Sequence, residues 1–325
     1  MQYKKANSEN RFSLKNIQFS KYMVYIVFFV AFILFAITLN DKGFTSSRNL
    51  MNVLRQTAMI SIMAAAGTFV IAAGQIDLTV GSVAAMTAMI SALVLQSTNS
   101  IVLAIICGLG VGLIVGLVNG LLVTKLGIPS FLATLGIMSA VRGSAMWITD
   151  TAAVPIENST FNKVFGIGDV GGISVLILWT IFIYIIAVIV FNKTAFGRHV
   201  LATGGNEVSA RYSGVKTDRI KRSVFIISGL CASFAGILYA ARMQAGRFSF
   251  GQGDELTVIA AVVLGGAAMS GGKGSIIGAL TGSVLMGIIN NALILAGLST
   301  AQQTIVKGLI IVLAVALSNF SQNKK

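Results

Sequence analysis

Residues 191–222 read FNKTAFGRHVLATGGNEVSARYSGVKTDRIKR, the one long polar segment in the interior of an otherwise apolar chain. Apolar runs long enough to cross a bilayer flank it on both sides, so exchange with an aqueous compartment is expected to pass through this loop. Within it, Asn206 is placed to cap a short helix by accepting from free backbone N–H groups. Gly214 is placed to end that helix in the left-handed conformation other residues resist. Val208 and Tyr212, four apart between those caps, share a face and form a knob for a partner to grip. A helix of about two turns is marginal in water by itself, so it needs support from below or a partner above.

The chain has 325 residues, 55% of them hydrophobic and 10% charged, with a mean hydropathy of +0.86. Its apolar residues come in blocks of about twenty, which defines an all-α integral membrane protein. A net charge of +14 raises the question of nucleic acid, but the basic residues lie between apolar blocks and form no reading surface, so no nucleic-acid partner is expected. Cys107 and Cys231 both fall inside apolar blocks and read as small packing residues.

About ten transmembrane helices are expected, at residues 22–39, 56–73, 80–95, 101–123, 128–148, 173–191, 223–242, 256–270, 275–296 and 301–317. The first 21 residues carry Lys4, Lys5, Arg11, Lys15 and Lys21 without a cleavage site and read as a cytoplasmic tail, as do residues 319–325 at the other end. Lys193, Arg198, Arg211, Lys216, Arg219, Lys221 and Arg222 crowd the central loop, residues 192–222. By the positive-inside rule that loop and both termini are cytoplasmic.

The two halves, about 53–148 and 223–318, align with each other. Ala73 to Gly81 lies against Ala245 to Gly253, Gly116 and Asn119 against Gly287 and Asn290, and Gly136 against Gly308. Five spans separate equivalent positions, an odd number, so the second copy crosses in the opposite sense, an inverted internal repeat within one permease domain, residues 22–318. Gly108, Gly112, Gly116 and Gly120 recur every fourth residue, as do Gly274, Gly278 and Gly282, and such ridges let helix backbones approach closely in lipid.

Several residues are candidates for the pathway or for polar support of it. Asp77, in GQIDLTVGS, could serve an ion-coupled carrier, but it reads better as the holder of a turn or cap at the inner membrane edge. Arg142 lies within the fifth span and could pair with a carboxylate, bind a substrate oxygen or snorkel, with packing support the default. Asn119, Thr134, Asn290 and Asn291 could line a pathway or hydrogen-bond between helices. Asp254 and Glu255 open the eighth span as outer carboxylates, suited to a helix N-terminus or to docking a basic protein surface. Thr300 and Gln303 form a plausible capping box.

Three near-motifs are set aside. Gly272-Lys273-Gly274 fails the phosphate-loop pattern at both ends, and Gly166 to Gly171 has no strand and helix to frame a dinucleotide. His199, the one histidine, has no second ligand beside it. No nucleophile-and-base set and no metal set presents itself, so the chain reads as a transport protein and not an enzyme.

Five stretches, in order along nearly the whole chain, resemble the membrane subunits of bacterial ABC sugar importers of the ribose type. They are GQIDLTVGS (74–82), LGIPSFLATLGIMSAVRG (126–143), TAFGRHVLATGGNEVSARYSGV (194–215), GDELTVIAAVVLGGAAMSGGKGS (253–275) and INNALILAGLS (289–299). The resemblance implies a ten-helix permease similar in plan to the vitamin B12 importer, working as a homodimer in the bacterial inner membrane. It implies a soluble ABC ATPase beneath, holding the ATP and Mg that this chain does not bind, and an extracellular sugar-binding protein above. It also assigns the coupling helix to residues 204–214, with Gly204, Gly205, Asn206, Glu207, Ser209, Ala210, Ser213 and Gly214 as its matching positions. Gln75, Ala267-Ala268 and Gly251-Gln252-Gly253-Asp254 depart from the family pattern, the last two toward the expected pathway or docking face, so the sugar is ribose by resemblance only. The competing reading is an ion-coupled secondary transporter that works alone through Asp77.

Overall fold

The computed structural model describes the backbone of residues 10–323 and the side chains of residues 24–313 and 316. Residues 1–9 and 324–325 of the two expected tails lie outside the described residues. The elements in order are α1 (Asn10–Thr38), α2 (Ser47–Ala72), α3 (Val80–Thr98), α4 (Ile101–Lys125) and α5 (Ser130–Trp147). A connecting region follows, with β1 (Val154–Pro155), α6 (Ser159–Asn162), a π-helical turn at Lys163–Ile167, β2 (Asp169–Val170) and β3 (Ile173–Ser174). The second part holds α7 (Val175–Lys193), α8 (Ala195–Gly205), α9 (Glu207–Tyr212), α10 (Thr217–Met243) and β4 (Ala245–Gly246). It closes with α11 (Asp254–Leu264), α12 (Ile276–Leu295) and α13 (Thr300–Asn323).

Helices occupy every stretch expected to span, and six of them, α2, α3, α4, α7, α10 and α12, are long and apolar enough to cross a membrane. α1 reaches back to Asn10, into the segment expected to be a tail. The expected eighth span is shorter than anticipated. α11 has 11 residues, which at 1.5 Å each is about 16 Å, roughly half the hydrocarbon thickness. It stops at Gly265-Gly266, where Gly266 takes a positive φ of 95°. The C-terminal helix is capped one residue earlier than expected. Ser299, not Thr300, forms the capping box: its N–H donates to Gln302 Oε1 at 2.8 Å, and its hydroxyl accepts from Gln302 N–H.

The core is built by glycines and alanines that let backbones touch. α4 runs against α10, with a Cβ on Gly112 blocked by the Gly229 carbonyl and one on Gly229 blocked by the Gly112 carbonyl. Gly120 lies against Arg222 and Gly116 against Phe225, so the two helices are antiparallel. α2 runs against α12 in the same way, with Thr57 beside Gly287 and the Ser61 and Ser283 hydroxyls 2.7 Å apart. α2 and α10 are themselves opposed, since Arg242 near the end of α10 donates to the carbonyl of Arg55 near the start of α2. Around these contacts lies a core of Met59, Ile62, Met63, Met89, Ile237 and Leu238, all fully buried.

Candidate functional site

Two places concentrate the polar residues singled out in the sequence. The first is the α8–α9 segment. The Thr194 hydroxyl accepts from Gly197 N–H and starts α8, and Asn206 Oδ1 accepts from Ser209 N–H at 2.9 Å and starts α9. Gly204 and Gly205 close α8, Glu207, Ser209 and Ala210 lie in α9, and the Ser213 hydroxyl donates back to the Ser209 carbonyl. Gly214, with φ of 86°, ends the unit. Ala210 is the buried side of α9, while Val208 and Tyr212 stand out together at 64% and 88% exposure.

α9 is fastened to α10 by charge. Glu207 accepts from Lys221 Nζ at 2.6 Å and from the Thr217 hydroxyl at 3.2 Å, and Arg211 bridges Glu207 and Asp218 at 3.2 and 3.3 Å. Exposed ion pairs add little, but Lys221 is mostly covered and these groups form a network. Burial by itself raises the Glu207 carboxyl, yet the Lys221 and Thr217 hydrogen bonds and the Lys221 and Arg211 charges outweigh it and hold the pKa below the ordinary value. A depressed carboxyl pKa stabilises the attachment above the ordinary glutamate value of about 4.3, and that contribution is lost as pH falls through the lowered pKa. A fluorescent probe on Ser213→Cys, with Cys107 and Cys231 replaced by alanine, is expected to gain mobility only as pH falls below the ordinary glutamate range. With Glu207→Gln the same probe should be mobile at every pH, and anisotropy checks both.

The second place is where the starts of α3 and α11 meet. The chain leaves α2 at Ala72 and turns inward through residues 74–79 to begin α3, and it leaves α10 and turns inward through residues 246–253 to begin α11. The two non-helical segments touch at Gly81 and Gly251, where a Cβ on Gly81 would meet the Gly251 carbonyl and would lie 2.6 Å from Glu255 Oε2. Asp77 Oδ1 accepts from Thr79 N–H at 2.9 Å and from the Thr79 hydroxyl at 2.6 Å, so it does hold a turn. It does so inside the fold, for Asp77 is 7% exposed and faces Ser228, eleven residues into α10. Asn119 donates to the Thr79 hydroxyl at 3.1 Å, and Thr134 donates to the Ser130 carbonyl at 2.8 Å and the Ile76 carbonyl at 3.3 Å.

Arg142 hydrogen-bonds to main chain and not to a carboxylate. Its Nη1 donates to the backbone carbonyls of Phe248 and, at 2.8 Å, of Phe250, and thereby satisfies the non-helical segment before α11. Asp254 and Glu255 are both half-buried. Tyr239 donates its hydroxyl to Asp254 at 2.6 Å, and Glu255 Oε2 is buried beside Gly81, because the dip of residues 246–253 carries the start of α11 into the fold. Asn291 pairs reciprocally with Asn49 at 2.9 Å, a bridge between α12 and α2, whereas the buried Asn290 Oδ1 has no partner among the described residues. Replacing Arg142 by Met should orphan the two carbonyls and cost roughly 3 kcal/mol, read as a lower thermal midpoint in detergent, with Arg142→Lys intermediate.

Sequence reading missed Thr79, Ser130, Ser228, Lys221 and Tyr239, which hold these two places together. Thr79 and Ser130 stood within the quoted motifs, but a small hydroxyl residue in an apolar run carries no local sign of its partner. A separate cavity of about 520 Å³ between α2, α7 and α12 contains none of the candidates, and its Thr57, Ser61, Thr180 and Tyr184 hydroxyls are all bonded within the protein. Among the described residues, no group of three or more His, Cys, Asp or Glu is placed to hold a metal ion.

Closely packed apolar helices, interrupted where two non-helical segments meet inside the fold, define a polytopic membrane protein of transporter type. Residues 49–315 match the family described as the permease component of the branched-chain amino acid transport system, and the chain belongs to that family. It is 41% identical over 278 residues to a probable ABC transporter permease, YphD, of Escherichia coli strain K12, covering 86% of this chain and 83% of that one. It is 39% identical over 286 residues to the ribose import permease RbsC of Bacillus subtilis, covering 88% and 89%. It is 36% identical over 294 residues to the L-arabinose ABC transporter permease AraH of Azospirillum brasilense, covering 90% and 86%. No solved structure matches.

Proposed function

We propose that this chain is the membrane permease subunit of an ATP-driven importer for a monosaccharide of the ribose or arabinose class. The relatives named for ribose and arabinose match it over most of both chains, and this is the observation that carries the substrate class. The ATPase, with its ATP and Mg, is a separate subunit docked on the exposed Val208 and Tyr212 of α9, and a sugar-binding protein delivers cargo from the opposite face. The central loop and both termini face the cytoplasm, in the inner membrane of a bacterium.

Ten helices cross, in two inverted halves on the plan of the vitamin B12 importer. Supporting this are the opposed directions of α2 and α10 and the meeting of the two non-helical segments at Gly81 and Gly251. A second copy covers α5 and α13, where Leu132, Leu135, Ile305 and Leu309 are exposed and Gly136, Gly143 and Gly308 have open space beside them. The sugar then passes near the half-buried Arg142 and Glu255 at the start of α11.

Purification from its own host followed by reconstitution tests the reading. A soluble ATPase should co-purify, and vesicles should take up labelled ribose or arabinose only with ATP, and branched-chain amino acids not at all. Uptake under an ion gradient without any ATPase would overturn the reading in favour of a solitary carrier using Asp77.

A further inference from the structure

Three backbones converge where α8 ends. Gly272 N–H donates to the Ala72 carbonyl at 2.9 Å, which ties the turn between α11 and α12 to the end of α2. A Cβ on Gly204 would run into that same Ala72 carbonyl and stand 2.8 Å from Gly272 N. A Cβ on Gly271 would lie 2.5 Å from the Gly204 carbonyl oxygen, and one on Gly272 would lie 2.7 Å from Gly205 Cα. The turn is closed on itself as well, by Gly271 N–H to the Ala268 carbonyl and Ala268 N–H to the Lys273 carbonyl. Below it, Gly274 fits against Thr68, Phe191 and Ala72.

We propose that Gly204, Gly271 and Gly272 form the joint through which movement of the α8–α9 unit reaches α11 and α12; this rests on the importer reading above. Side chains in contact can absorb a displacement by changing rotamer, but backbones in contact have no such slack. A shift of α8 therefore displaces the turn of residues 265–275. α11 starts at the crossing of Gly81 and Gly251 and ends at this turn, about 16 Å away, so a rigid helix carries the shift to the centre. The Gly-Gly-Lys-Gly stretch that imitates a phosphate loop has its physical reason here: glycines let the turn press on α8 with nothing between.

The test uses the permease assembled with its co-purified ATPase in vesicles. Gly204→Ala places a methyl group in the joint, and insertion of two glycines after Lys273 makes the joint slack without adding bulk. Gly110→Ala is the control, since its Cβ would have open space within 4 Å and it lies outside the α8–α9 unit. The ATPase should stay bound and active in all three, while ATP-driven uptake falls about tenfold in the first two and stays near wild type in the third. If the alanine variant does not fold, the insertion decides. Normal uptake by the insertion variant, or loss of the ATPase along with uptake, overturns the joint. Wild type that carries no ATPase at all instead overturns the importer reading, so the two failures are distinct.

Discussion

Gly112→Val should remove nearly all folded protein from the membrane, while Gly110→Ala two residues away changes nothing measurable. The reason is the reciprocal contact of α4 with α10. Gly112 and Gly229 each lie against the other's carbonyl, and a Cβ on Gly112 would also strike the Ser233 hydroxyl, whereas Gly110 has open space within 4 Å. Overpacking a close-packed interior costs about 1–3 kcal/mol where neighbours can move, and here the neighbour is main chain in a helix on each side. Thr87 of α3 donates to both the Ser233 hydroxyl of α10 at 2.9 Å and the Gly108 carbonyl of α4 at 3.3 Å, so separating α4 from α10 would also break one of these bonds. Monodisperse yield in mild detergent and the thermal midpoint check the pair. A Gly112→Val protein that elutes and melts like wild type would contradict this packing account.

Glu207→Arg should leave the protein folded and abolish co-purification of the ATPase. The substitution puts a cation beside Lys221 and Arg211, which now converge on the Glu207 carboxylate, so α9 must swing off α10. α9 contributes little to the core, since among its residues only Ala210 is buried, and the thermal midpoint should move little. Uptake should drop at least about tenfold, the scale expected when a docking surface loses its orientation. Tyr212→Ala provides the complementary variant. With 88% of its surface exposed, Tyr212 has almost no folding role, so any loss of ATPase binding measures the interface directly. Retention of the ATPase by both variants would move the docking site off α9.

Local chemistry made parts of this molecule legible in advance. The caps at Asn206 and Gly214, the shared face of Val208 and Tyr212 and the acid pair at the start of α11 follow from backbone rules that act over a few residues. The half length of α11 was harder to read, because Leu256 to Ser270 is apolar throughout and hydropathy does not register a helix that starts inside the protein. The place of Asp77 was hidden for a related reason. Asn119, which donates to the Thr79 hydroxyl that in turn donates to Asp77, and Ser228, which faces the carboxyl, come from helices far along the chain, and only their convergence buries it inside the fold. Arg142 bonds to main-chain carbonyls of residues 248 and 250, and a carbonyl has no signature in a sequence.

By itself the sequence determined that this is a membrane protein of apolar helices with a charged central loop, because bilayer insertion depends on hydrophobic length and loop charge, both additive along the chain. Only the tertiary structure decided which glycines touch backbone to backbone and that Asp254 and Glu255 turn inward. It alone decided that the end of α8 rests on the turn before α12. Those outcomes depend on distances between segments far apart in sequence, and such distances are set by how whole helices pack in lipid, where close fit takes the place of hydrophobic drive.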